Sequence, residues 1–274
     1  MSQLIFMDID GTLVDATLKI STEDKQAIAS AIEKGAKVYV ATGRKFSAAK
    51  EVIAQLHPEV KVVASNGCVY ELAGKRFVDT ISNEALLAIY KIAVAEKIPL
   101  FFFGLEKTFF TTELPTYFAA EEKARLLAGK EAMLVHIKNE DELLKWADEI
   151  VNGIIISEDD YQHLVGIKEK LSTISDLTVS SSHFNNLELI PKDMSKAVAI
   201  QKIQEHYQIA KEDTIAFGDG VNDIEMFQAS GISVSMGNAP DEVKKVTRFT
   251  TLPNTQSGIS HFLNNFFKED RKND

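Results

Sequence analysis

The chain has 274 residues, 45% of them hydrophobic and 26% charged, and carries a net charge of −10. That length suits one large globular domain or two, and the acidity argues against a nucleic-acid-binding surface. No apolar run approaches the roughly 20 residues of a spanning helix, no basic and apolar leader precedes Asp8, and the single cysteine, Cys68, closes no internal disulfide, so no membrane partner and a cytoplasmic setting are expected.

Leu4-Ile5-Phe6-Met7 reads as a short buried strand running into Asp8-Ile9-Asp10-Gly11-Thr12. Ser21-Thr22-Glu23-Asp24 has the pattern of a helix N-cap with acids in the first turn. Ala27, Ile28, Ala31 and Ile32 follow at helical spacing, with Gly35 placed to end the helix. Lys37 to Ala41 supplies a second strand, which delivers Thr42-Gly43-Arg44 to its carboxyl end. A helix from Ala48 to Leu56 and a strand from Val60 to Ala64 repeat the pattern and end at Ser65-Asn66-Gly67. These first eighty residues predict half of a parallel, doubly wound, Rossmann-like sheet.

From about Ser82 to Ser182 the texture changes. A helix, strand-like runs at Phe101–Phe103 and Phe109–Phe110, and then helices alternating with strands near Ala132–Val135, Gly153–Ile156 and Leu177–Ser180 predict a separate α/β body. After Pro191 the βα rhythm returns. A helix from Ser195 to about Tyr207, the strand Thr214–Phe217, a helix across Asp223 to Ala229 and the strand Ile232–Val234 are expected, followed by a polar tail from Lys268 to Asp274. The simplest account is a discontinuous core, 1–81 and 187–274, with an α/β domain inserted at 82–186.

The chemistry gathers in two acidic clusters that each follow an apolar strand: Asp8 and Asp10, and Gly218-Asp219-Gly220-Val221-Asn222-Asp223. Open α/β sheets place their active sites at the carboxyl ends of strands. A carboxylate can attack phosphorus and split one difficult displacement into two. Asp8 suits that role, and Asp10 suits protonation of the leaving alcohol followed by activation of water. Both reach one site only if the strand opens there, which Gly11 permits. Carboxylates this close stay ionised together only when a cation holds them, so Mg²⁺, a hard ion that takes oxygen ligands, is the expected cofactor. Asp219 completes the metal site, with Asp223 and Asn222 orienting it by hydrogen bonds or through water. Lys196 and the Thr42 hydroxyl are expected to hold phosphate, and the amides of Gly43 and Arg44 to open the next helix toward an anion. Gly11, Gly43, Arg44, Asn66 and Asn222 are the candidate phosphate or substrate contacts, although Asn66-Gly67 equally suits an ordinary turn.

Asp8-Ile9-Asp10-Gly11-Thr12, Ala41-Thr42-Gly43-Arg44, Lys196 and the stretch from Gly218 to Asp223 together resemble the four ordered motifs of the haloacid dehalogenase-like hydrolases. Ser65-Asn66-Gly67 and the place and length of the insertion are most similar to the Cof-type branch, in which the insertion is a large α/β cap. The resemblance implies a phosphatase for a small phosphorylated metabolite. Asp8 would then be the nucleophile, Asp10 the acid and base, and Thr42 and Lys196 the phosphate holders. Mg²⁺ would be bound by Asp8, Asp219 and the Asp10 carbonyl, with Asp223 behind them. The same motifs serve a phosphotransferase or mutase, and a non-catalytic binding protein on this fold is a third reading. Two departures fall at the expected rim: Ser257 stands where the family often has Asp, and Val246-Thr247 follow Lys244-Lys245 in place of Ala-Asp.

Other residues have plainer expectations. Cys68 reads as a small buried hydrophobe, and the scattered histidines, His136, His163 and His183 among them, make no metal-ligand spacing. The Phe101–Phe103 run reads as core of the inserted domain, and Lys138 to Lys145 as a solvated helix face beside Trp146.

Overall fold

A computed structural model describes residues 3–112, 127, 133–157, 161–181 and 184–273. The chain divides into two compact units, residues 1–77 with 195–274, and residues 78–194. The insertion is therefore wider than the expected 82–186. It takes in the segment 186–191, which pairs in antiparallel fashion with two strands of the inserted sheet.

In chain order the first unit opens with β1 (Leu4–Met7), α1 (Thr22–Glu33), β2 (Lys37–Ala41), α2 (Phe46–Ile53), β3 (Lys61–Ala64), β4 (Val69–Leu72) and β5 (Lys75–Val78). The second unit holds α3 (Asn83–Glu96), β6 (Leu100–Phe103), β7 (Thr108–Phe110), β8 (Leu134–His136), α4 (Glu140–Leu144), β9 (Asn152–Ile156), α5 (Tyr161–Leu171), β10 (Leu177–Ser180) and β11 (Asn186–Pro191). The chain then returns through α6 (Lys196–Tyr207), β12 (Thr214–Gly218), α7 (Ile224–Gln228), β13 (Ile232–Ser235), α8 (Asp241–Lys244), β14 (Phe249–Thr250) and α9 (Gly258–Asn273).

The core sheet has eight strands in the order β14-β13-β12-β1-β2-β3-β4-β5. From β14 through β3 every neighbouring pair is parallel, and β4 joins β3 antiparallel. The chain leaves β1 toward β3 on one side and comes back to β12 on the other, so the order reverses between β1 and β12. That reversal opens the crevice in which doubly wound sheets bind ligands. Side chains alternate across the strands. Phe6, Tyr39 and Ala216 pack with Ala199, Ile200 and Ile203 of α6 and with Met226 and Phe227 of α7. On the other face, Phe217 meets Phe262 of α9 edge-on, with ring centroids 5.5 Å apart.

The local signals for α1 act as read. Ser21 accepts a hydrogen bond from Asp24 N at 3.0 Å, and Gly35 follows the helix at φ +94°, donating to Ile32 O. Helix α2 begins at Phe46 and ends at Ile53, so it is displaced from the expected 48–56. The expected polar tail is the last turns of α9 as far as Asn273, with Asp274 outside the described residues.

The inserted unit carries a six-stranded sheet, β10-β11-β9-β6-β7-β8, all antiparallel except β7 with β8. Phe102 and Phe109 are fully buried in its core with Leu86, Ile89, Leu164 and Ile167, as the phenylalanine run predicts. Trp146 lies against Phe109 at 5.4 Å. Ala132, Ser182 and His183 fall outside the described residues. No helix among the described residues is long and apolar enough to cross a membrane.

Candidate active site

β1 and β12 are adjacent and in register, and the Asp8 amide extends their ladder by donating to Phe217 O at 2.9 Å. Both acidic clusters therefore stand at the carboxyl ends of neighbouring strands. Asp8 is 7% exposed, Lys196 2% and Asp223 0%. Lys196 Nζ donates to Asp8 Oδ1 and to Asp223 Oδ1, each at 2.7 Å. Ser195 caps α6 by accepting from Val198 N, which fixes Lys196 as the helix's first residue and delivers its ammonium between the two carboxylates.

Asp223 uses its other oxygen to accept from the amides of Asp219 (3.1 Å) and Gly220 (3.0 Å). Both of its oxygens are thus engaged, and it binds Lys196 to the loop that presents Asp219. Asp219 Oδ1 accepts from the Thr12 hydroxyl at 2.8 Å and Oδ2 from Asn238 Nδ2 at 3.3 Å. Gly11 closes the assembly: at φ +77°, a β-carbon there would lie 2.2 Å from Asp219 Oδ2, so both conformation and space require glycine.

Asp8, Asp219 and Asp223 can each offer an oxygen within 4.8 Å of the others. Three carboxylates and one ammonium leave the ionised cluster at about −2, a charge that burial makes costly. Burial raises the Asp8 pKa; Lys196 opposes the rise and Asp223 adds to it, for a value of about 7. Burial likewise raises Asp219, against the hydrogen bond from Thr12. For Lys196 burial pulls downward, but Asp223 and Asp8 outweigh it, so the ammonium holds its proton more firmly than usual. A hard divalent cation is the species that such an all-oxygen, over-negative set accommodates, and the residues present fit Mg²⁺.

The remaining expected residues are placed less uniformly. The Asp10 side chain stands apart from the carboxylate cluster and is half exposed, held by Arg44 through Nε–Oδ2 at 2.7 Å and Nη2–Oδ1 at 2.5 Å. Two fork-to-fork bonds match guanidinium and carboxylate geometry, so the Arg44 side chain here meets Asp10. The hydrogen bond from Arg44 to Asp10 raises the arginine's already high pKa. Thr42 is buried, and its Oγ1 accepts from Arg44 N at 3.1 Å. That amide faces Thr42, and α2 starts two residues later than the Thr42-Gly43-Arg44 stretch suggested. Asn66 adopts φ +54°, donates its amide to Thr42 O at 3.1 Å and sets its Oδ1 beside Gly43. Gly67 lies so close to α6 that a β-carbon would sit 2.1 Å from Ser195 O. Asn222 is exposed, its Oδ1 lying over Gly220.

The sequence departures are accounted for locally. Ser257 bonds Ser21 Oγ at 3.0 Å, at the N-cap of α1. Thr247 bonds Ser235 Oγ at 2.9 Å and Lys244 O at 3.1 Å, which ties the segment after α8 to β13. Cys68 is fully buried. The one acidic or thiol–imidazole cluster of metal-binding shape among the described residues contains no histidine. Thr12, which lies within the motif after β1, and Asn238 and Asn254 are partners to which the sequence assigned no role. Their signal lies in topology, since Met236-Gly237-Asn238 follows β13, the neighbour of β12, at the same sheet edge.

A model of the haloacid dehalogenase-like hydrolase family matches residues 5–263. Phosphatase YwpJ of Bacillus subtilis is 29% identical, over 95% of this chain and 98% of that protein. The 5-amino-6-(5-phospho-D-ribitylamino)uracil phosphatase YwtE of the same organism is 27% identical, over 94% and 96%. A solved haloacid dehalogenase-like hydrolase from B. subtilis superposes with a TM-score of 0.80 at 25% identity, covering 96% of this chain and 99% of that one. The subclass IIB sugar phosphatase BT4131 shares the fold, with a TM-score of 0.78 at 24% identity over 96% and 98%. With its acidic loops at the β1/β12 reversal and a match along nearly its whole length, the chain belongs to the haloacid dehalogenase-like hydrolases and is an enzyme of the phosphatase class.

Proposed function

We propose that this hydrolase is a Mg²⁺-dependent phosphatase that cleaves a small phosphomonoester, a sugar phosphate or similar metabolite, through an aspartyl-phosphate on Asp8. The observation that carries the proposal is the buried Asp8–Lys196–Asp223 array beside Asp219. It holds one carboxylate at the sheet's reversal point with a cation at its back, which suits a nucleophile that must meet an anionic substrate. Asp8, Asp219 and the Asp10 carbonyl are the groups that would hold Mg²⁺, which when bound neutralises phosphate charge and polarises a phosphoryl oxygen. Lys196 keeps Asp8 in place and favours its ionised form.

An Asp8 oxygen forms the new bond to phosphorus as the bond from phosphorus to the leaving oxygen breaks. Asp10 gives its proton to that oxygen, releasing an alcohol. Asp10 then takes a proton from water, whose oxygen attacks phosphorus and releases inorganic phosphate and free Asp8. The Arg44 fork occupies both Asp10 oxygens, so proton transfer follows opening of the Arg44–Asp10 pair. Curated relatives named for a ribitylaminouracil phosphate support a small organic monoester as substrate.

The test is phosphate release from a panel of sugar and nucleotide monophosphates, with Mg²⁺ and with chelator, for the parent and for Asp8→Asn. Metal-dependent release that disappears in the folded variant is expected. Parent-like release by Asp8→Asn would remove Asp8 as nucleophile.

A further inference from the structure

We infer that Asn238 is a positioning residue that aims Asp219 at the metal and fastens the Asp10–Gly11 turn to the same point. One amide nitrogen, Nδ2, donates to Gly11 O at 2.8 Å and to Asp219 Oδ2 at 3.3 Å. It thereby links the two loops that carry the candidate ligands. The Asn238 oxygen is itself fixed, accepting from Asn254 N at 3.1 Å, and Asn254 Nδ2 donates to Val14 O at 2.8 Å. The turn after β14 is thus braced against the loop after β1 from both ends of one side-chain pair. Thr12 holds the opposite oxygen of Asp219, so Thr12 and Asn238 together set how that carboxylate is turned. Groups that orient a metal's ligands govern affinity as strongly as 10- to 100-fold. Mg²⁺ demands near-ideal octahedral geometry, while Ca²⁺ tolerates irregular and larger shells, so a loosened Asp219 penalises Mg²⁺ more.

The inference rests on the proposed metal site, and its test reads binding without turnover. Isothermal titration of Mg²⁺ and of Ca²⁺ into the substrate-free full chain is compared for the parent, Asn238→Ala and Asn238→Ser, with thermal melts in chelator. The serine variant keeps a polar group on the turn in case alanine prevents folding. The expected result is a Mg²⁺ dissociation constant raised 10- to 100-fold, a smaller rise for Ca²⁺, and a metal-free melting temperature within a few degrees of the parent's. A Mg²⁺ constant within about threefold of the parent's overturns the inference alone. Equal weakening of both ions with a large fall in the metal-free melting temperature also overturns it, since that is the mark of a purely structural role. A parent that binds no Mg²⁺ overturns the inference together with the metal-dependent function.

Discussion

Replacing Lys196 with methionine removes one ammonium and leaves a side chain of similar length in the same buried place. Asp8 Oδ1 and Asp223 Oδ1 each lose a 2.7 Å partner. Asp223 keeps two backbone donors on its other oxygen, so the uncompensated charge falls mainly on Asp8. Breaking a buried ion pair by deleting one partner costs about 3–5 kcal/mol. Asp8 can escape part of that cost by taking a proton, because burial already holds its pKa near 7 in the intact site and loss of the ammonium moves it higher. The loss is therefore expected to approach its full value at pH 8 and to shrink at pH 5.5. Lys196 itself does not supply this pH dependence. Its folded pKa is raised, so its contribution is present below the unfolded value and lost only as pH rises through the folded one, beyond the range used. The assay is urea unfolding of both proteins at the two pH values in chelator. Circular dichroism is the appropriate signal, because the single tryptophan, Trp146, sits in the other unit. A loss below about 1 kcal/mol at pH 8, or an equal loss at both pH values, refutes the assignment of Lys196 as the cation that balances this cluster.

Asp8 with its raised pKa destabilises the metal-free fold as pH rises from about 4 toward 7, since its stabilising neutral form is lost through the folded value of about 7. Mg²⁺ affinity should rise over the same interval as the proton leaves; a flat affinity between pH 5.5 and 7.5, measured by calorimetry, contradicts this. Gly11→Ala places a carbon against Asp219 at a positive φ and should raise the Mg²⁺ dissociation constant at least tenfold, on the scale of ligand misorientation; parent-like titration would show that the loop yields. Asp10→Asn should leave stability within about 1 kcal/mol, because the carboxylate that pairs with Arg44 is half exposed, yet slow phosphate release by roughly 10²–10⁴-fold. Parent-like turnover would take Asp10 out of the proton transfer. Gly67→Ala, with backbone of α6 at 2.1 Å, should lower stability by about 1–3 kcal/mol or more in denaturant melts; an unchanged midpoint would mean the turn can move off α6 freely.

Local order along the chain was enough for the parallel half of the core. Strands of four or five apolar residues alternate with capped amphipathic helices, and Ser21, Gly35 and Ser195 act at the positions their chemistry suggests. The Phe101–Phe103 run was legible as core only in part: Phe102 packs in the inserted unit's core, while Phe101 is buried outside that cluster and Phe103 half-buried, because successive strand residues face opposite sides. The strand 186–191 was not, and the inserted unit is wider for it. Its segment, Asn-Leu-Glu-Leu-Ile-Pro, alternates only briefly, and what makes it part of the second unit is pairing with β9 and β10, partners that its own residues do not name. The last helix was hidden for a related reason: its polar end reads as tail, while Phe262 and its neighbours are anchored from elsewhere in the fold.

At the site, chain order alone supplies the groups: Asp8, Asp10, Asp219 and Asp223 in loops after strands, and Lys196 at the start of a helix. Their division of labour is a tertiary matter. Lys196 lies between Asp8 and Asp223 because α6 starts against the Ser65–Gly67 turn, and Asp10 faces Arg44 because Gly11 turns the chain after it. The contacts of Asn238 and Asn254 exist only because parallel pairing brings β13 beside β12 and sets their loops against the one that follows β1. Hydrogen bonds act over about 3 Å, and residues more than two hundred positions apart come within that distance only through the folded sheet.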